Sequence, residues 1–173
     1  MFPEEFTDYL VEYHGSRDYF ECHEIMEEFW KETDPGNKNS HWVGFILLAV
    51  SAYHHRRQNM AGAEKTMRKS LEILEQTDEA LISGLGINYQ SLILTLSESL
   101  GNIKKGRAYA SIQLPIEDPA LLSACKEKCR QKQYSWNSNA PISDDIIHRH
   151  TRRDRSEVIN ERNRQKELRS RKR

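Results

Sequence analysis

The chain has 173 residues, enough for one well-buried core and too few for two ordinary domains. Charged residues make up 30%, hydrophobic residues 37%, and mean hydropathy is −0.81; with an apolar run at 42–52 too short to cross a bilayer, this excludes a membrane protein. The net charge of zero hides a split, because residues 149–173 hold eleven Lys or Arg against four Asp or Glu, leaving +7 there and −7 in the rest.

Met1 leads straight into Phe2-Pro3-Glu4-Glu5 with neither a basic nor an apolar leader, so the expected location is the cytoplasm. No stretch alternates with period two for long, whereas the 3.6 period recurs, and the expected fold class is all-α: a compact bundle of five to six helices with an additional C-terminal basic helix or tail. A first helix is predicted over about residues 3–13, with Phe6, Tyr9, Leu10 and Tyr13 on one side and His14-Gly15 as its stop. Ser16 is the expected cap of a second helix that runs to about residue 32 and closes on the turn Asp34-Pro35-Gly36-Asn37. A third, about residues 41–59, is apolar almost all round and reads as the central helix.

A fourth helix is predicted at about 61–74, with Ala63, Met67, Leu71 and Leu74 inward. A fifth buries Tyr89, Leu92, Ile93 and Leu96 and ends before Gly101. Residues 109–115 read as extended, and Asp118-Pro119 supplies an N-cap and a first-turn proline for a helix to about 133. The expected organisation is a helical domain at 1–133, a linker at 134–142, and a basic C-terminal helix or disordered tail at 143–173. Cys22, Cys125 and Cys129 are odd in number and lack CxxC spacing, so they read as buried or surface thiols without a disulfide.

Function is expected on the second helix. With about 100° per residue and Tyr19 at zero, the apolar residues occupy an arc from about 240° to about 100°, and Glu21, Glu24, Glu28, Lys31 and Glu32 fall outside it. His23, at about 40°, and Glu27, at about 80°, fall inside it, beside Trp30 at about 20°. One turn apart, the two polar side chains are neighbours, and a carboxylate at the edge of a core demands a partner. Three readings stand. In the first, Glu27 accepts from His23 and from Arg17, Tyr53 or Arg57 and pins the packing. In the second, His23 and Glu27 bind a divalent metal, with His54 or His41 as third ligand. In the third, the pair is acid and base in a pocket roofed by Trp30, although no nucleophile or phosphate loop accompanies it and no reaction is assigned. His23-Glu24-Ile25-Met26-Glu27 is not the H-E-x-x-H of zinc proteases, because Glu27 stands where the second histidine belongs.

The run Asp18-Tyr19-Phe20-Glu21-Cys22-His23-Glu24, followed by Glu27 and Trp30, resembles domain of unknown function family 309, with its H-x3-E-x2-W signature. Residues 44–54, then Asn59 and Gly62, look like that family's second block, and Leu114-Pro115-Ile116 like its last. The resemblance covers about residues 1–125 and implies a compact helical domain whose motif, here His23, Glu27 and Trp30, has been suggested to bind metal without an established activity. The tail after Ser143 lies outside it and is therefore expected to be private to this protein.

Two functional classes follow. One is a metal- or small-ligand-binding domain built on His23, Glu27, Trp30, Tyr53, His54 and Arg57. The other is a non-catalytic protein-interaction module using helix faces and the Arg-rich tail. Nucleic acid could be reached only through that tail, where Glu157, Glu161 and Glu167 dilute the positive charge. Exposed apolar residues are compatible with a homo-oligomer.

Overall fold

A computed structural model describes residues 2–138, 140–148, 163, 164, 166–169 and 171. It is all-α, as the periodicity requires. Helices α1 (Glu4–Val11), α2 (Tyr19–Thr33), α3 (His41–Arg56), α4 (Met60–Glu75), α5 (Glu79–Gly84), α6 (Tyr89–Lys104), α7 (Pro119–Gln131) and α8 (Asp144–Ile147) follow one another along the chain. Short connections make α2, α3 and α4 successive antiparallel neighbours, α6 covers α4, and α7 closes back on α1. No helix among the described residues is long and apolar enough to cross a membrane.

Side-chain caps set most of the helix starts. Asp18, Ser40, Asn59, Asp78, Asn88 and Asp118 each accept a hydrogen bond from a first-turn backbone N–H. The cap of α2 is therefore Asp18, not Ser16; the Ser16 hydroxyl instead donates back to Glu12 and accepts from the Asp18 N–H. Asn59, expected inside the third helix, caps the fourth. The short α5, capped by Asp78, interrupts a stretch that carried no helix expectation, and α6 runs through Gly101 instead of stopping before it.

His14-Gly15 does not end the first helix either. The chain continues from α1 into a π-helical turn, Glu12–Ser16, and breaks only at Arg17, whose φ of 56° is left-handed. Gly15 is there for clearance: a Cβ at that position would lie 2.9 Å from Cys129 Sγ and 3.0 Å from Tyr134 Cβ. The same device brings α3 against α4, where a Cβ on Gly44 would meet Leu74 Cδ2 at 2.8 Å, and Ser70 Oγ donates to the Gly44 carbonyl at 2.6 Å.

Aromatic side chains dominate the core between α1, α2 and α3. Phe6, Tyr9, Tyr13, Tyr19 and Phe45 are fully buried, and the Tyr9 hydroxyl donates to the Phe45 carbonyl at 2.9 Å. All three cysteines are free and buried, and burial pushes the thiols up, Cys125 to about 12 and Cys129 to about 11, so they are neutral at ordinary pH. Residues 107–115 cross the surface outside any helix, and just beyond them Ile116 forms an antiparallel bridge with Ile87.

Trp136, Asn137 and Ala140 lie against the start of the domain. Trp136 stacks on His14 with ring centroids 4.6 Å apart, His14 Nδ1 donates to Asn137 Oδ1 at 2.6 Å, and Arg17 donates to the Ala140 carbonyl. Most of the basic segment expected at 143–173 lies outside the described residues.

Candidate functional site

Antiparallel packing of α2 and α3 brings the first turns of α2 opposite the last turns of α3. Between them is a cleft of about 160 Å³ lined by Tyr19, Phe20, His23, Val50, Tyr53 and His54. Its walls are almost wholly apolar, and Phe20 faces Tyr53 across it at 6.3 Å.

His23 is the point where the α2 pattern and this cleft meet. Its Nε2 lies 2.8 Å from Glu27 Oε2, and Lys31 Nζ lies 2.7 Å from Glu27 Oε1, so the three side chains form a ladder along α2 at i, i+4 and i+8. Glu27 is 34% exposed and His23 28%, half-buried at the rim of the core. The second partner of Glu27 is not the expected one: Lys31, from the charged face of the same helix, answers it in place of Arg17, Tyr53 or Arg57. The hydrogen bond from His23, reinforced by Lys31, outweighs partial burial and holds the Glu27 carboxyl down to about 2.

That ion pair has a consequence for the imidazole. Glu27, being ionised, only accepts, so neutral His23 carries its proton on Nε2 and keeps a lone pair on Nδ1. Nδ1 is buried and has no hydrogen-bond partner among the described residues.

His54 is fixed differently. Asn59 accepts from the Gly62 N–H through Oδ1 at 3.1 Å, which turns its amide nitrogen toward His54 Nδ1 at 3.2 Å. His54 therefore accepts at Nδ1 and carries its proton on Nε2. Burial, with the Arg57 charge added, lowers its pKa and keeps it neutral.

The remaining residues of the sequence-derived constellation separate. Trp30 does not line the cleft; its indole N–H donates to the Asn37 carbonyl at 3.0 Å and closes the α2–α3 turn. Arg57 lies over the Tyr53 ring at 5.2 Å and donates to His148 Nδ1 at 3.2 Å, tying α8 to the end of α3. His41 stands at the other end of α3 from His54. Among the described residues no group of three or more His, Cys, Asp or Glu side chains is placed to hold a metal ion. Sequence reasoning missed Tyr19, Phe20 and Val50 as lining residues, because their apolar pattern reads as core.

Fold and cleft together define an all-helical domain with an imidazole held by a carboxylate at the mouth of an apolar cleft. The chain belongs to the family described as domain of unknown function (DUF309), whose model matches residues 6–66 and so spans every residue of the cleft. It is 45% identical over 174 residues to the uncharacterized protein YpuF of Bacillus subtilis (strain 168), a match covering 100% of this chain and 99% of that relative. The C-terminal basic segment thus has a counterpart there and is not private to this protein. No solved structure matches the chain.

Proposed function

We propose that the α2–α3 cleft binds a small, largely apolar molecule, with His23 as its principal polar contact. The observation that carries this reading is the buried, unpartnered Nδ1 of His23 in a cleft whose other walls are aromatic and aliphatic. A polar atom without a partner in such surroundings costs roughly 1–3 kcal/mol, which a ligand N–H or O–H recovers on binding. Glu27 acts through His23, fixing the ring and its tautomer, and His54 supplies a donor from the facing helix.

A divalent metal is the second reading. It rests on the same lone pair, since a carboxylate behind an imidazole is the arrangement that orients a metal-binding histidine. His54, protonated on Nε2 by its Asn59 contact, adds no second lone pair there.

Fragment binding to isotope-labelled protein separates these readings. Small aromatic fragments are expected to shift the resonances of Phe20, Val50 and Tyr53 and to bind more weakly to His23→Ala. Fragments that leave those signals in place, or bind His23→Ala equally well, would count against the cleft. Stoichiometric zinc or manganese retained by the wild type and lost in His23→Ala would favour metal.

A further inference from the structure

Beside the cleft, against the Tyr19 ring, lie buried donor atoms that have no acceptor among the described residues. Arg56 sits at the end of α3 with its guanidinium carbon 4.5 Å from the Tyr19 ring centre, and its Nη1 donates to the Arg17 carbonyl at 2.8 Å. Its Nε and Nη2 are buried and have no partner. These two nitrogens form one edge of the planar fork, the edge whose parallel N–H groups match the two oxygens of a carboxylate or phosphate. Around them, Arg17 is 8% exposed with its Nε unpartnered, and Tyr13 is 1% exposed with its hydroxyl unpartnered. Tyr13 and Tyr19 are in ring contact at 5.0 Å, so Arg56 and Tyr13 meet at one aromatic side chain.

Among the described residues neither Arg17 nor Arg56 makes an ion pair. A buried guanidinium edge without an acceptor is costly, and the Nε/Nη2 edge of Arg56 beside the unpartnered Tyr13 hydroxyl makes a cradle for negative charge, whereas Arg17 already donates to the Ala140 carbonyl. Arg56 does not itself line the cleft, but it packs on Tyr19, which does, and lies about 60° around α3 from the cleft-lining Tyr53.

We infer that Arg56, with Tyr13, is an oxyanion site, and that the ligand of the cleft is a small molecule with an apolar body and a carboxylate or phosphate-monoester head. This rests on the reading of the cleft as a ligand site. The body lies between Phe20, Tyr53 and Val50, and the head takes the Nε/Nη2 edge of Arg56.

The probes are benzoate, phenyl phosphate and neutral benzamide, titrated into the full chain while the arginine Nε–H resonances are followed. The Arg56 signal is identified by its loss in Arg56→Lys, which keeps the charge and removes the edge. One of the acids is expected to shift that signal and to bind about tenfold or more tightly than benzamide, with the advantage lost in Arg56→Lys. Which acid binds tighter separates a carboxylate head from a phosphate head. Val50→Trp, which fills the cleft, distinguishes the two ideas. Acids that still shift the Arg56 signal in Val50→Trp would leave the oxyanion site standing without the cleft. Benzamide binding in the cleft, with neither acid binding tighter nor moving the Arg56 signal, would keep the cleft and overturn the oxyanion site. Should Arg56→Lys fail to fold, wild-type protein in which neither acid moves any arginine Nε–H signal overturns the proposal by itself.

Discussion

Glu27 and His14 are two titratable residues placed differently, and both make the fold lose stability in acid, over different pH windows. Glu27 has a folded-state pKa of about 2, below its ordinary value, so the stabilisation it confers is complete above that ordinary value and disappears as pH falls toward 2. Because the pair is a third exposed and flanked by water, its contribution is that of a partly screened surface ladder, about 0.5–1 kcal/mol. Glu27→Gln should therefore lower unfolding free energy by that amount at pH 7 in urea titrations, with the difference shrinking at low pH and in high salt. His14 is buried beneath Trp136, and burial lowers its pKa to about 4 despite the bond to Asn137. An unfolded histidine binds its proton near pH 6.5, so the folded state loses stability as pH falls from there to about 4, by up to about 3 kcal/mol. Stability measured against pH should show this decline in the wild type, and His14→Gln should flatten it over that window.

At the scale of the element, the close approach of α3 and α4 makes a sharp test. Gly44→Ala puts a methyl group 2.8 Å from a buried Leu74 and should cost about 1–3 kcal/mol, read as a lower thermal midpoint. Pairing it with Leu74→Ala should recover part of the loss, because the cavity made by one change admits the methyl of the other. Helical periodicity made α1 to α4 legible from the sequence, since their buried faces repeat every three or four residues. What it could not show is why Gly15 is a glycine. A stop and a clearance look alike in sequence, and only the approach of Cys129 and Tyr134, more than 100 residues later, tells them apart. The site was legible to the same degree. His23 and Glu27 stand out because two polar residues break an apolar arc, but Tyr19 and Phe20 obey the arc and so give no sign that they line a cleft. Arg56 was equally silent, a charged residue at a helix end where charge is ordinary.

At the scale of the whole molecule, the ends of the described domain hold one another. Lys128 on α7 bonds Asp8 on α1 at 2.7 Å, and Lys132 reaches the buried Glu12 at 2.9 Å. Cutting the chain after Gln133 removes Trp136 and Asn137, leaves His14 open to water, and should return its pKa toward 6.5, as histidine NMR would show. Deleting α7 as well should strip α1 of its outer cover and expose Val11, now fully buried.

This closure of the last long helix on the first dictates an order of events during synthesis. α1 leaves the ribosome first, but the helix that shields its outer side follows only after about a hundred further residues, some 5–20 s at typical elongation rates. Until then its aromatic side chains rest on α2 and α3 alone. Nascent chains stalled short of Pro119 should therefore show amide exchange in α1 far faster than in α3, and release of the full chain should silence it.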